Sequence, residues 1–193
     1  MNPQPTSGFT LIEALVAITI LVIAVLGPLG TITRGITDGF YAQNQLVGTY
    51  LTQEGLELLS LRIDENNRPN EFDNLDHDGS DTVDIDDLLY GLEVCKNADC
   101  AVVFESADNL VDFSFDTCAN ANNCEIAYHP VDGFYKPYDG GAGFTGPVFT
   151  RALRIDTLTD TEVLLSSEVK WKNKTTDPEF KSVKLSRYAF HQK

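Results

Sequence analysis

The fold is decided near the start of the chain, by GFTLIEALVAITILVIAVLGPLGTITR, residues 8–34. This stretch holds one acid, Glu13, and has no charged residue from Ala14 to Thr33. An α-helix rises about 1.5 Å per residue, so the apolar run is long enough to cross a hydrocarbon core of about 30 Å. The run therefore predicts a membrane-spanning helix.

A secretory signal peptide is the competing interpretation of this run. Such a peptide has a cationic start, an apolar region of about 7 to 15 residues and a small-residue cleavage site. The first eight residues, MNPQPTSG, contain no Lys or Arg, and the apolar run is longer than that. Glu13 also lies within its first two turns. A carboxylate there either reaches the lipid headgroups or has a dedicated partner.

The segment GFTLIE, residues 8–13, followed by apolar residues to Ile18, closely resembles the N-terminus of type IV prepilins and of type II secretion pseudopilins. The resemblance implies that a prepilin peptidase cuts after Gly8 and that the new terminus, Phe9, is N-methylated. It also implies that Glu13 neutralises the terminal ammonium of a neighbouring subunit. Such a pair attracts strongly at low dielectric. The leader lacks the basic residue usual in the family.

The helix pattern continues beyond the apolar run. Residues 27–30, GPLG, predict a kink or a melted stretch, either a simple proline kink or, as the resemblance implies, a point where a spring-like helix unwinds. A stripe about 100° wide then predicts the face that covers a sheet, and the pattern ends near Asp64. Gln43 and Glu54 fall inside the stripe. Its apolar members are Ile32, Ile36, Phe40, Val47, Leu51 and Leu58, bordered by Leu46, Tyr50 and Leu61.

The remaining sequence predicts an antiparallel sheet. Alternating residues indicate short strands at 101–104 and 110–115 and a three-stranded meander over 148–190. The expected fold class is α+β and pilin-like, with a long N-terminal helix packed on a C-terminal antiparallel sheet. The expected parts are a leader (1–8), a transmembrane or filament-core half-helix (9–33), an amphipathic half-helix (34–64) and an extracytoplasmic head (65–193).

Composition excludes several functions. The chain has 193 residues with 29 acids against 14 bases, a net charge of −15, which argues against nucleic-acid binding. No catalytic sequence motif is present, so an enzyme is not expected and no cofactor is required. Residues 151–193 carry a net +3 against −18 for the rest. That basic face is either ordinary solvated surface, which is favoured, or a surface for an acidic loop of the next subunit or for DNA.

The acidic loop 64–87 resembles a calcium loop in its first half. Oxygen-bearing residues alternate around Gly79, as Ca²⁺ loops require, whereas Ile85 stands where a further carboxylate is expected unless two residues are inserted. The two interpretations are a Ca²⁺ site and a solvated acidic loop, and the second is favoured. The candidate ligands are Asn74, Asp76, Asp78, Ser80, Asp84 and Asp87.

The four cysteines predict disulfides rather than a zinc site, because their spacings lack the C-x₂-C pairs of zinc ribbons. An even number beyond a membrane helix fits an oxidising compartment. Of the three connectivities, Cys95 with Cys100 and Cys118 with Cys124 is the simplest. Each bond would pin a short loop and give local rigidity.

Two functions follow. The first is a structural subunit of a type IV pilus or pseudopilus, held in the cytoplasmic membrane by one helix and then built into a filament. Its partners would be prepilin peptidase, other pilin subunits, a membrane assembly platform and the lipid bilayer. The irregular head and acidic insert favour a minor subunit. The alternative is a singly anchored extracytoplasmic binding protein, calcium-dependent or not, that never polymerises.

Overall fold

Most of the helical residues belong to one long helix. The computed structural model describes residues 10–67, 85–104, 113–120, 124–138, 140–172 and 178–190. Helix α1 runs through 56 residues, Leu11–Asn66, and a short helix α2 follows at Ile85–Leu88. The chain divides into two compact units between Ala42 and Gln43, so α1 begins in the first unit and ends in the second.

Within the described residues, the second unit also contains a seven-stranded antiparallel sheet. Its long central strand, β5, pairs with β6 on one side, while β1 and β3 pair with different parts of its other side. Three further strands pair with the outer sides of these: β2 with β1, β4 with β3, and β7 with β6. The strands are β1 (Cys100–Phe104), β2 (Phe113–Thr117), β3 (Glu125–His129), β4 (Phe134–Pro137), β5 (Thr145–Thr159), β6 (Glu162–Trp171) and β7 (Lys181–Phe190).

This layout confirms the α+β, pilin-like fold class and the C-terminal meander, which is β5–β6–β7. The strand predicted at 101–104 is β1, and β2 contains the described part of the strand predicted at 110–115, whose residues 110–112 lie outside the described residues. The sequence analysis missed β3 and β4. They form a hairpin whose turn contains Gly133, with φ of +79°, a backbone conformation that glycine adopts readily.

The face of α1 that packs on the sheet is not the predicted stripe. It lies roughly a third of a turn away around the axis, at 3.6 residues per turn. Of the stripe, only Leu51 is buried, Val47 and Leu58 are partly buried, and Ile32, Ile36, Phe40, Leu46, Tyr50 and Leu61 are exposed. The buried residues are Gly48, Leu51, Thr52, Gly55, Leu59, Ser60 and Ile63.

The prediction of this face was wrong because small residues decide the packing. A Cβ on Gly48 would lie 2.8 Å from Cζ3 of Trp171, and one on Gly55 would lie 2.7 Å from Cδ2 of Leu153. The two glycines therefore let the helix backbone approach the sheet closely. The hydroxyls of Thr52 and Ser60 donate to carbonyls one turn back in α1, at 2.6 and 2.9 Å, so their burial leaves no donor unpaired.

The core between helix and sheet has two main parts. Trp171 and Phe149 are almost fully buried beside Leu51, with their ring centroids 6.0 Å apart. Leu59 and Ile63 continue the contact along α1 toward a second cluster that includes β1, β5 and β6. Together these clusters fix the second half of α1 on the sheet.

Helix α1 also continues through residues 27–30, so the predicted melted stretch is not present. Proline removes one backbone donor, which costs the helix a single hydrogen bond. The hydroxyls of Thr31 and Thr33 donate to the carbonyls of Pro28 and Leu29 at 2.8 and 2.7 Å, so both are paired within the helix next to the proline. The helix ends at Asn66, two residues beyond the expected Asp64.

Candidate processing and assembly site

The first turn of α1 is built by a residue that the sequence analysis missed. The carbonyl of Thr10 accepts hydrogen bonds from the backbone N–H groups of Glu13 and Ala14, at 3.1 and 3.2 Å, and the Thr10 hydroxyl also faces the Glu13 N–H at 3.4 Å. Thr10 therefore caps the helix. A threonine followed three residues later by a glutamate is the sequence signature of this cap.

Glu13 lies in that first turn with its side chain exposed. A carboxylate there is favoured by the positive end of the helix dipole. Its neighbours Leu11, Ile12 and Leu15 are apolar and exposed as well. The acid is thus presented on an apolar surface, where a cation from another molecule would meet little competing water.

The apolar half of α1 has the properties of a lipid-facing helix. It contains a stretch long and apolar enough to cross a membrane, and none of that stretch is buried within the protein. Four threonines from Thr19 to Thr37 donate their hydroxyl groups to carbonyls three or four residues earlier, at 2.7 to 3.0 Å. Because lipid supplies no hydrogen-bond partners, such internal pairing suits a helix in lipid.

An ion pair joins α1 to the sheet, and its cation is buried while the Glu54 side chain is 41% exposed. Arg151, on β5, is 3% exposed, and its Nη1 lies 3.1 Å from Oε2 of Glu54 on α1. Burial lowers the pKa of the Arg151 guanidinium, and the Glu54 carboxylate opposes that shift. Glu54, which the sequence analysis placed within the apolar stripe, therefore pairs with Arg151 on the sheet. Glu54 and Arg151 fix the register of α1 on β5.

The structure joins the cysteines as near pairs. Cys95 bonds Cys100, between a short 3₁₀ turn and β1, and Cys118 bonds Cys124, between β2 and β3. The Cα atoms are 5.1 and 4.7 Å apart. Each bond closes a short segment at the start or end of a strand. The bonds therefore hold the ends of individual strands rather than linking distant parts of the chain.

A polar cluster on the β3–β4 hairpin was not identified from the sequence. Nδ1 of His129 lies 2.8 Å from a carboxylate oxygen of Asp132, which also pairs with Lys136. The hydrogen bond from Lys136, followed by the charge of His129, lowers the pKa of the Asp132 carboxyl. The rings of His129 and Phe144 meet edge to face at 5.3 Å. The cluster holds the loop before β5 against the hairpin.

Several predicted site residues lie outside the described part of the chain. They are Gly8, Phe9, Asn74, Asp76, Asp78, Ser80 and Asp84. Asp87 is described, and it is buried in α2. Among the described residues, no group of three or more His, Cys, Asp or Glu side chains could hold a metal ion. The structure therefore leaves the calcium loop as a sequence-based proposal.

With the helix and its exposed acid described, the comparison with known families becomes informative. Residues 5–27 match the family model described as the prokaryotic N-terminal methylation motif. It is the signature of type IV prepilins and pseudopilins. No curated protein and no solved structure shows a significant match to the chain. The prepilin signature includes Gly8, Phe9 and Glu13 and ends at Gly27, within the apolar half of α1. It supports a type IV pilin-like protein that a prepilin peptidase processes.

Proposed function

We propose that this chain is the precursor of a structural subunit of a type IV pilus or of a type II secretion pseudopilus. The observation that carries the proposal is the methylation motif at residues 5–27, continuous with a helix whose apolar surface is exposed. An exposed apolar surface of this length is unstable in water. It would be covered by lipid in the membrane-held precursor and by neighbouring subunit helices in the filament.

Processing prepares the assembly contact in this proposal. Hydrolysis of the peptide bond after Gly8 leaves the amino group of Phe9 as the new terminus, which is then methylated and stays cationic. Glu13 receives the terminal ammonium of a neighbouring subunit. The pair would be strong because both charges lie on an apolar surface, where each lacks another partner. This sequence of steps places the chain first in the cytoplasmic membrane, with the head outside, and then in a filament.

The head supports a minor rather than a major subunit in this proposal. It contributes an irregular sheet with two short disulfide loops and a long acidic insertion between α1 and α2. Such local elaboration is typical of subunits that each occupy few positions. The partners are prepilin peptidase, other pilin subunits and the membrane assembly platform.

A Glu13→Gln variant tests the assembly step, with Glu57→Gln as the matched control. Glu57 is an exposed acid on the same helix, outside the methylation motif. Each variant is expressed with a prepilin peptidase and an assembly system, and the fraction of chain in sheared filaments is measured. We expect both variants to be cut, while only Glu13→Gln fails to enter filaments. Normal incorporation of Glu13→Gln would contradict the assembly role of Glu13, whereas absence of the parent chain from filaments would support an anchored binding protein that does not polymerise.

The calcium site remains a separate proposal, made on the spacing of Asn74, Asp76, Asp78, Ser80, Asp84 and Asp87. Calorimetric titration of the full chain in detergent with Ca²⁺ tests it, with Asp76→Asn and Asp78→Asn together as the variant. We expect heat from the parent chain and none from the variant. Equal heat from both, or none at millimolar Ca²⁺, would remove the site.

A further inference from the structure

We propose that the edge strand β7 binds an extended acidic segment of a partner polypeptide, which adds to the sheet as one further strand. This inference concerns the head alone and does not rest on the proposed assembly through α1. It is argued from the open backbone edge of β7, from a cleft beside that edge, and from the charges of the strand.

The edge of β7 is open in the described part of the chain, where β6 is its one pairing strand. The carbonyl of Phe190 accepts a hydrogen bond from the side-chain amide of Asn67 at 3.4 Å, so it points away from β6. Backbone groups of an antiparallel strand alternate in direction from residue to residue. Ser186 and Tyr188 therefore also direct their N–H and C=O groups outward, as do Ser182 and Lys184.

The β5–β6 hairpin supports the same assignment. Thr159 and Glu162 close a two-residue turn and pair across it. Residues that close such a turn exchange hydrogen bonds with each other, so the backbone groups of Glu162 point toward β5. Glu162 is the register partner of Phe190, which leaves the Phe190 backbone directed outward. A partner strand would find four such residues, Ser182, Lys184, Ser186 and Tyr188, since the Phe190 carbonyl is already bonded to Asn67.

A cleft lies between this edge and the end of α1. Its volume is about 180 Å³, and Ser60, Ile63 and Asp64 of α1 line it together with Arg187 and Ala189 of β7. Arg187 donates to the Ser60 hydroxyl at 3.4 Å and forms no ion pair within the described residues. An added strand would place alternate side chains in this cleft. The Arg187 guanidinium in this cleft suits a short side chain that ends in a carboxylate.

The basic side chains of β7 favour an acidic partner strand over a second copy of β7. The strand carries Lys181 and Arg187 on the face toward α1, Lys184 on the opposite face, and no acid. Glu168, opposite Lys184 on β6, is paired with Lys170 at 3.1 Å. Two β7 strands from separate copies would bring like charges together, which is how natural proteins prevent edge-to-edge association. A strand with acidic side chains at alternate positions is attracted instead, and it gains the backbone hydrogen bonds of strand addition.

The test uses the full chain in detergent micelles and a blocked, fluorescent peptide in which Glu alternates with Thr and Val. A peptide with Lys in place of Glu is its control. Fluorescence anisotropy measures affinity, and hydrogen exchange of the β7 amides locates binding. We expect the acidic peptide to bind more tightly than the basic one and to slow exchange at Ser186 and Tyr188. Lys181→Glu, which reverses a charge on the same face as Arg187, should weaken binding by about tenfold or more, while the equivalent change on another face, Lys96→Glu, should not.

A second test, Ser186→Pro, removes a backbone hydrogen-bond donor from the open edge. Proline removes one outward N–H without removing a bond to β6, so it should abolish peptide binding, whereas Ser186→Ala should retain it. Equal affinity for the two peptides, no binding by either, or no effect of Lys181→Glu would overturn the proposal. Outward amides of β7 already protected in the peptide-free monomer would show that the chain covers its own edge. Protection that appears only as the chain dimerises would assign the edge to a second copy, and either result would refute an acidic partner.

Discussion

Substitution of Gly48 by alanine tests the close packing of α1 against the sheet. The added Cβ would lie 2.8, 3.2 and 3.4 Å from three atoms of the Trp171 ring. Carbon atoms in contact normally lie about 3.5–4.0 Å apart, so the helix or the indole must move. The indole is rigid and 1% exposed, and it packs against Phe149, so the strain falls on the helix–sheet contact itself.

The expected loss of stability is a difference between two effects. Overpacking a close-packed interior costs about 1 to 3 kcal/mol, while replacing glycine by alanine within a helix gains about 1 kcal/mol. Because a buried indole cannot rotate aside as the end of a leucine can, the cost should lie in the upper part of that range. We therefore expect Gly48→Ala to lower the free energy of unfolding by about 1 to 2 kcal/mol.

Trp171 is the one tryptophan of the chain, so its fluorescence reports directly on this contact. Guanidinium unfolding of the full chain in detergent, followed by that signal, measures the change. Gly39→Ala is the matched control, because a Cβ there meets nothing within 4 Å on the same helix. The control should be unchanged or up to about 1 kcal/mol more stable. A Gly48→Ala protein as stable as Gly39→Ala, with unchanged fluorescence, would refute the close approach of helix and sheet.

Three further predictions concern other contacts of the head. Glu54→Gln leaves the buried guanidinium of Arg151 without its counter-charge and should lower the free energy of unfolding by about 1 to 3 kcal/mol, measured by denaturation; no loss, or an equal loss in an Arg151→Met background, would contradict the pairing. Because the pKa of Asp132 is lowered, its stabilising effect is present above its ordinary pKa of 3.8 and is lost as the pH falls through the lowered pKa. Asp132→Asn should therefore flatten the fall in melting temperature below about pH 4, and an unchanged acid profile would contradict this. Replacing both Cys95 and Cys100 by serine should cost about 2 kcal/mol or less, because the closed loop is short, with hydrogen exchange rising mainly near β1; a loss of all cooperative unfolding would contradict that local role.

The sequence predicted those elements whose signal is regular and long. The strands β6 and β7 alternate over ten residues each, which fixed their position and order before the structure was known. The helix was expected because an apolar run without charges leaves no other structure in lipid. The hairpin of β3 and β4 was missed because its strands have only five and four residues. The Asp132-Gly133 turn between them was the available signal.

The face of α1 could not be read from hydropathy. Besides Leu51, Leu59 and Ile63, its contact with the sheet uses small or hydroxyl-bearing residues, which hydropathy does not identify as buried. These residues are Gly48, Thr52, Gly55 and Ser60. The ion pair of Glu54 with Arg151 could not be predicted from the sequence either. It joins residues far apart in the chain, and only the register of helix on strand brings them together.

The processing motif could be predicted from the sequence because its residues are close together in the chain. Gly8, Phe9 and Glu13 act through a fixed local spacing next to an apolar helix, so their arrangement is contained in the sequence itself. The Thr10 cap belongs to the same segment, and its spacing to Glu13 would have predicted where α1 begins.

Processing of the N-terminus is the most direct test of the central claim. The chain is expressed in cells with and without a prepilin peptidase, purified in detergent, and its intact mass and N-terminal residue are determined by mass spectrometry. The account predicts a shortened chain that begins with N-methylated Phe9 only where the peptidase is present. A chain that still begins with Met1, in cells where a known prepilin is cut, would contradict it and would leave a permanently anchored protein.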